Sequence, residues 1–125
     1  MKGLVIAGRV VYALPFAVFG LLHFMSASAM AGLVPSWLPG GVFWVYLTGV
    51  AMLAASIALL ANKLVMQAGM GLAALLAVYI LTIHLPGVFS PEHMQMAMGS
   101  LLKDLAMLGG ALTLAGLAEQ PRQAT

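Results

Sequence analysis

The stretch GMGLAALLAVYILTIHLP, residues 69–86, contains no Asp, Glu, Lys or Arg, and Tyr79 and His84 are its ionisable side chains. An apolar run of about 18 or more residues is long enough for a helix to cross the roughly 30 Å hydrocarbon core of a bilayer. Similar runs elsewhere predict a set of four transmembrane helices, at about residues 4–25, 42–60, 64–85 and 101–117. We therefore expect an all-α, polytopic membrane protein in which residues 1–125 form a single domain, a four-helix transmembrane bundle.

The composition agrees with this expectation. Hydrophobic residues make up 63% of the chain and charged residues 6%, whereas about a quarter of the residues in a soluble domain are charged. Five basic and three acidic side chains are too few to form a nucleic-acid-binding surface. The chain has no cysteine, which excludes disulfides, thiolate nucleophiles and iron-sulfur ligation by its own side chains.

The basic residues predict an orientation in the membrane. Lys2, Lys63 and Arg122 flank the expected spans, while the connection over residues 26–41 contains no Lys or Arg. By the positive-inside rule, both termini and the middle loop are then cytoplasmic, in a bacterial inner membrane whose lipid is the first partner of the chain.

A second interpretation of the N-terminal segment stays open. Residues 1–29 contain Lys2 and Arg9, an apolar stretch, and Ala27 and Ala29 at the spacing of a signal-peptidase site. These features are also those of a cleaved signal peptide, although the apolar stretch is longer than is usual for one.

Local patterns predict details of the helices. Ser90, Pro91 and Glu92 have the signature of a helix N-terminus, so the fourth helix is expected to begin outside the membrane core. Small residues at helical spacing predict faces on which helices approach closely. These faces are Ala51, Ala55 and Ala58 on the second helix, Gly69, Ala73 and Ala77 on the third, and Gly109, Thr113 and Gly116 on the fourth.

Two longer stripes predict helix faces that point into the bundle. They are Arg9, Ala13, Phe16, Gly20 and His23 on the first helix, and Trp44, Thr48, Ala51, Ala55, Ala58 and Asn62 on the second. Arg9 and His23 lie about 21 Å apart along the helix axis, so they cannot touch. Arg9 is a polar anchor on the cytoplasmic side that reaches the headgroups, or it pairs with an anionic lipid or with Glu119.

The candidate functional residues are His23, His84, Lys103 and Asp104, which this topology places together in the outer leaflet. Ionisable side chains within membrane spans are costly, face the bundle interior and often mark functional sites. Asp104 is the first choice because a short carboxylate cannot reach the headgroups. In the alternative, Asp104 only locks helix packing, by accepting hydrogen bonds from His84 or from Lys103 of a neighbouring copy in a homo-oligomer.

Metal binding has weaker support. His23 and His84 are two imidazoles at similar depth, the kind of pair that ligates a b-type haem, and His93, Met94 and Met98 offer soft ligands for Cu(I). Interfacial histidines and adaptable methionine packing explain the same residues without a metal, so no metal is assigned. The chain has no nucleophile-base arrangement, phosphate-binding loop or dinucleotide fingerprint, and an autonomous enzyme is not expected.

Five segments carry a family resemblance. They are GRVVYALPFAVFGLLHF (8–24), VPSWLPGG (34–41), LTG (47–49), LTIHLPG (81–87) and LLKDLAMLGGAL (101–112). Together they resemble the DoxX-like membrane proteins, four-helix proteins whose name comes from a small subunit of quinol oxidase and thiosulfate:quinone oxidoreductase systems. Because the resemblance includes the first helix, it argues against signal cleavage.

The resemblance implies an accessory subunit that binds a quinone between the helices and receives electrons from a redox partner subunit. Asp104 and His84 would then exchange protons with the quinone headgroup, His23 would assist, and Trp44 and Tyr79 would form apolar walls. The alternative is a non-catalytic scaffold or assembly protein. Transport of a metal or small solute has less support, because a single four-helix chain would have to oligomerise to form a pathway.

Overall fold

The computed structural model describes residues 2–119, so Met1 and residues 120–125, including the predicted cytoplasmic Arg122, lie outside the described residues. The helices are α1 (Lys2–Met25), α2 (Ala27–Met30), α3 (Val42–Ala61), α4 (Val65–Tyr79), α5 (Leu85–Val88) and α6 (Met94–Glu119). A 3₁₀ turn, Ala31–Leu33, follows α2, and a π-helical turn, Ile80–His84, joins α4 to α5. Residues 2–119 contain no β-strand.

Four stretches are long and apolar enough to cross a membrane, which confirms the predicted fold class. They are Lys2–Met25, Val42–Ala61, Val65–Val88 and Met94–Glu119. The third span is continuous through α4, the π turn and α5. Helices α3 and α4 are joined by a tight turn at Asn62 and Leu64, which both adopt the left-handed backbone conformation. The chain is therefore a polytopic membrane protein with a four-helix bundle.

Helix α1 packs closely on α3 through two glycines. A Cβ atom added at Gly49 of α3 would lie 2.8 Å from the Cβ atom of His23, and one added at Gly20 of α1 would lie 3.2 Å from the carbonyl oxygen of Gly49. Ala13 and Phe16 are buried on the same face of α1. The predicted α1 stripe is therefore a packing face, and its glycines allow the backbones to approach.

Helices α4 and α6 form the second close pair. A Cβ atom added at Gly69 would lie 2.7 Å from the carbonyl oxygen of Ala111 and 3.0 Å from the Cβ atom of Ala115. The small-residue face predicted for the fourth helix was wrong, because Gly109, Thr113 and Gly116 are exposed. The face of α6 that packs inward instead carries Ala97, Asp104, Ala111 and Ala115. These residues are spaced by seven and four, which keeps them on one side of a helix.

The buried face of α3 also differs from the predicted stripe. Its buried residues are Val45, Gly49, Met52, Ser56 and Leu59, each one position from a member of the predicted set Trp44, Thr48, Ala51, Ala55 and Ala58. A shift of one residue rotates a helix face by about 100°. The predicted stripe lies beside the core, where Trp44 and Thr48 line one cavity and the alanines line a groove.

The predicted start of the fourth helix at Ser90 was wrong, because α6 begins at Met94. Residues 90–93 form a turn in which the His93 N–H donates to the carbonyl oxygen of Ser90 at 3.1 Å. Serine followed by proline also suits the first two positions of a β-turn. The same residue pattern therefore fits two structures, and the turn is formed here.

Candidate functional site

A cavity of about 250 Å³ lies at the end of the bundle opposite the α3–α4 turn. Its walls come from the ends of α1, α3 and α4, from the π turn, and from the segment over residues 30–38 that crosses this end. The lining is mostly apolar. Polar groups reach it from His23, Thr48, Tyr79, Thr82 and His84, so the cavity has the character of a small-molecule site with a few placed polar groups.

His84 and Asp104 form a contact at the edge of this cavity. The Nδ1 atom of His84, at the end of the π turn, lies against Oδ2 of Asp104 on α6. The Asp104 side chain is 7% exposed and that of His84 is 22% exposed. A buried carboxylate is costly unless it is paired, so the imidazole stabilises Asp104 in the bundle. The pairing leaves Nε2 as the His84 ring nitrogen that can face a ligand.

The π turn places His84 at this position. Pro86 lacks a backbone N–H, and its ring would clash with the carbonyl of the residue four positions earlier, Thr82, in a regular α-helix. The helix widens just before the proline, and the Thr82 hydroxyl donates to the Val78 carbonyl at 2.6 Å. Single π turns inside longer helices are frequent at functional sites. Here the turn points Thr82 and His84 into the cavity wall.

His23 and Tyr79 form a second polar pair, which joins α1 to α4. His23 Nδ1 lies 2.6 Å from the carbonyl oxygen of Phe19, and Nε2 lies 3.2 Å from the Tyr79 hydroxyl oxygen. Since a carbonyl only accepts, the neutral ring donates from Nδ1 and accepts at Nε2 from the Tyr79 O–H. The two predicted residues thus lie together, and both line the cavity.

Trp44 closes the cavity on the α3 side. Its indole N–H donates to the Pro39 carbonyl at 2.6 Å, which ties the residue that follows the crossing segment to the start of α3. One turn later, the Thr48 hydroxyl donates to the Trp44 carbonyl at 2.9 Å. The side chains predicted as apolar walls, Trp44 and Tyr79, therefore both border the cavity, and each is held by a hydrogen bond.

The other predicted candidates lie elsewhere. Lys103 is exposed on α6, next to Asp104 in sequence. His93, Met94 and Met98 are exposed near the start of α6. Within residues 2–119, no three His, Asp or Glu side chains come together in a group that could hold a metal ion.

Arg9 lies at the opposite end of the bundle. Its Nε–H donates to the carbonyl oxygen of Leu59, in the last turn of α3, at 2.8 Å. The alternative partner, Glu119, makes no ion pair with Arg9; within residues 2–119 the one ion pair is that between His84 and Asp104. Arg9 is therefore part of a different site from the histidines.

Two polar side chains with a role in the structure were not predicted from the sequence, one in a contact between helices and one in the cavity wall. The Tyr12 hydroxyl donates to the Met107 carbonyl and links α1 to α6, and Thr82 lines the cavity. Both residues have neighbours that are almost all apolar, and threonine or tyrosine in such a run is compatible with any helix face. The proline at position 86 was the one signal that the helix around Thr82 would be irregular.

The site combines two imidazoles, a phenol and a carboxylate in a mostly apolar, partly open space. These groups can donate to or accept from the oxygens of an amphipathic ring, and the His84–Asp104 pair can hold or release a proton. Residues 12–109 match a sequence family described as a domain of unknown function (DUF8561). No curated protein and no solved structure matches the chain.

Proposed function

The chain belongs to the DUF8561 family, and we propose that it is an accessory subunit of a quinone-linked redox system, with the quinone headgroup in the cavity beside His84. The observation that carries the proposal is the contact between His84 and the buried Asp104 at the wall of an apolar cavity, because an imidazole beside a carboxylate is suited to proton exchange. The resemblance of segments such as residues 81–87 and 101–112 to DoxX-like proteins supports the same reading.

The size and lining of the cavity suit one small ring. At about 250 Å³ it is slightly below the usual range for sites that enclose a whole drug-sized ligand. A headgroup held between Trp44 and Tyr79, with its apolar tail leaving through the open side into the lipid, needs no larger space. His84 Nε2 would bind one quinone oxygen, and the His23–Tyr79 pair would fix the opposite wall.

The chemistry requires a partner subunit. Reduction of a quinone to a quinol takes up two electrons and two protons. The electrons would come from a redox centre in another subunit, since the side chains of this chain offer none. The protons would reach the quinone oxygens through His84, with Asp104 stabilising the protonated imidazole.

The proposal includes a location. Lys2 and Lys63 lie at the end of the bundle that is opposite the cavity, and the positive-inside rule favours a cytoplasmic position for that end. The site would then open toward the outer leaflet of a bacterial inner membrane.

The test is native mass spectrometry of the full chain, purified in mild detergent with added short-tailed quinone. We expect one quinone adduct per chain. Asp104→Asn removes the carboxylate charge that pairs with His84, the residue that binds the quinone. Because losing a hydrogen bond to a charged group weakens an interaction by about tenfold or more, the fraction of chains that retain quinone should fall to match an affinity lower by that factor. Glu92→Gln removes an exposed carboxylate from the same end and should bind like the unaltered chain.

Equal quinone retention by Asp104→Asn and Glu92→Gln would remove the redox proposal. If Asp104→Asn then changed only thermal stability or the mass of a co-purified complex, the pair would serve helix packing. That result would favour the scaffold or assembly role.

A further inference from the structure

The end of the bundle at the α3–α4 turn contains a second cavity, of about 510 Å³, which includes the Arg9 side chain. Its other walls come from the α3–α4 turn at Asn62 and Leu64, from the first turn of α4, and from the last turns of α6. Polar groups reach it from Arg9, Asn62 and Gln67. It lies at the opposite end of the molecule from His84 and plays no part in the proposed quinone site.

Arg9 has donors left for a ligand in this cavity. Its Nε–H is used by the Leu59 carbonyl, and a guanidinium has four further N–H groups on its two Nη atoms. No acidic side chain among residues 2–119 lies within ion-pair distance of Arg9. A half-buried guanidinium without a counter-ion among residues 2–119 favours an anion, and its planar fork suits phosphate.

An apolar groove of about 290 Å³ continues from this cavity along α3 and α4. The cavity and the groove share Leu64 and Gln67 as lining residues. The groove is lined by small residues on α3, from Ala51 to Ala58, and reaches Leu75 on α4. From Leu64 to Leu75 it is about 16 Å long along the helix axis, which is close to half of the roughly 30 Å hydrocarbon core.

We propose that this end of the molecule is a binding site for one membrane phospholipid. Its phosphate lies against the Arg9 guanidinium in the polar cavity, and one acyl chain lies along the groove between α3 and α4. Charge and shape both favour this occupant. The Arg9 guanidinium lies at the end of the groove next to the α3–α4 turn, and the length of the groove is close to the thickness of one leaflet of the hydrocarbon core.

The turn between the helices fits this role. Leu64 has φ of 53°, which is uncommon for a residue with a side chain. Its side chain is 68% exposed and borders both the cavity and the groove. The left-handed turn therefore places an apolar side chain where headgroup and acyl chain would meet.

The experiment uses the full chain in mild detergent and counts bound lipid by native mass spectrometry. The probe is dioleoyl phosphatidylglycerol, and dioleoylglycerol and inorganic phosphate are the two comparison ligands. We expect one phospholipid per chain, no comparable retention of dioleoylglycerol, and no displacement of the lipid by inorganic phosphate.

Two matched pairs of variants test the two halves of the site. Arg9→Gln should weaken lipid binding by about tenfold or more, while Lys63→Gln, which removes an exposed charge from the same end, should not. Gly71→Leu places a side chain in the groove, where a Cβ atom meets no other atom within 4 Å, and should weaken binding. Gly109→Leu adds the same side chain at an equally open position on α6 and should not.

Three results would overturn the proposal. Equal lipid retention by Arg9→Gln and Lys63→Gln would show that the guanidinium does not select the lipid. Displacement by inorganic phosphate would identify a free-anion site. A lipid-free dimer that Gly71→Leu converts to a monomer would show that a second copy covers the groove. Because the Gly71 pair leaves Arg9 intact, the test holds even if Arg9→Gln does not fold, and neither pair alters the quinone site.

Discussion

At the scale of single residues, burial separates the polar side chains that take part in the candidate site from those that do not. Asp104 is almost fully buried and paired, whereas its neighbour Lys103 is exposed. The sequence makes both residues candidates, since each is a charge within a span, and it favours Asp104 because a short carboxylate cannot reach the headgroups. One is buried and the other exposed because α6 turns a single face toward α4. The close contact between Gly69 and Ala111 determines which face that is. A carboxylate inside a span could be predicted as important, but its partner among several candidates could not.

We predict that Tyr79→Phe weakens quinone binding by about fivefold, because it removes the hydroxyl that donates to His23 Nε2 and leaves the ring wall in place. The loss of one hydrogen bond should also lower the free energy of unfolding by about 1 kcal/mol. Quinone titration and thermal unfolding in detergent measure the two effects.

The control for this change is Tyr46→Phe, since Tyr46 is 42% exposed and does not line the cavity. It should behave like the unaltered chain in both measurements. If Tyr79→Phe and Tyr46→Phe bound quinone equally well, the His23–Tyr79 pair would have no role in the site.

At the scale of helices, two close pairs form the bundle, α1 with α3 and α4 with α6. In a membrane, helices associate through packing rather than through exclusion of water, so small residues at the contact are important. The sequence predicted the inward-facing stripe of α1 and the small-residue face of α4. It did not identify the face of α6, because glycine and alanine occur on several sides of that helix and hydropathy does not distinguish lipid from a neighbouring helix.

We predict that Gly69→Val destabilises the protein, because its Cβ atom would lie 2.7 Å from the Ala111 carbonyl oxygen and push α4 away from α6. Overpacking of this kind costs about 1–3 kcal/mol, and Tm in detergent should fall accordingly. Gly116→Val is the control, since a Cβ atom there meets nothing within 4 Å. An equal Tm for the two variants would mean that α4 and α6 do not pack through this contact.

At the scale of the whole molecule, the two ends differ in chemistry. One end has the cavity bordered by His23, Tyr79 and His84, and the other has the cavity that includes Arg9. The four spans were predictable because hydropathy is a local property of the chain. The sequence also predicted that Tyr79 and His84 border one site, but it did not predict the two cavities themselves. Each cavity is enclosed by residues from several helices, and the rotations of those helices depend on tertiary packing. The crossing segment over residues 30–38 gave no sequence signal that it would cover a site.

The claim that a quinone headgroup occupies the cavity beside Trp44 and His84 has a direct optical test. The chain has two tryptophans, and Trp37 is 73% exposed, so Trp37→Phe leaves Trp44 as the only indole. We predict that a short-tailed quinone quenches Trp44 fluorescence saturably in this protein, and that adding Asp104→Asn weakens the apparent affinity by about tenfold or more. Quenching that rises linearly with quinone concentration and is the same in both proteins would show that no quinone headgroup binds beside Trp44 and His84.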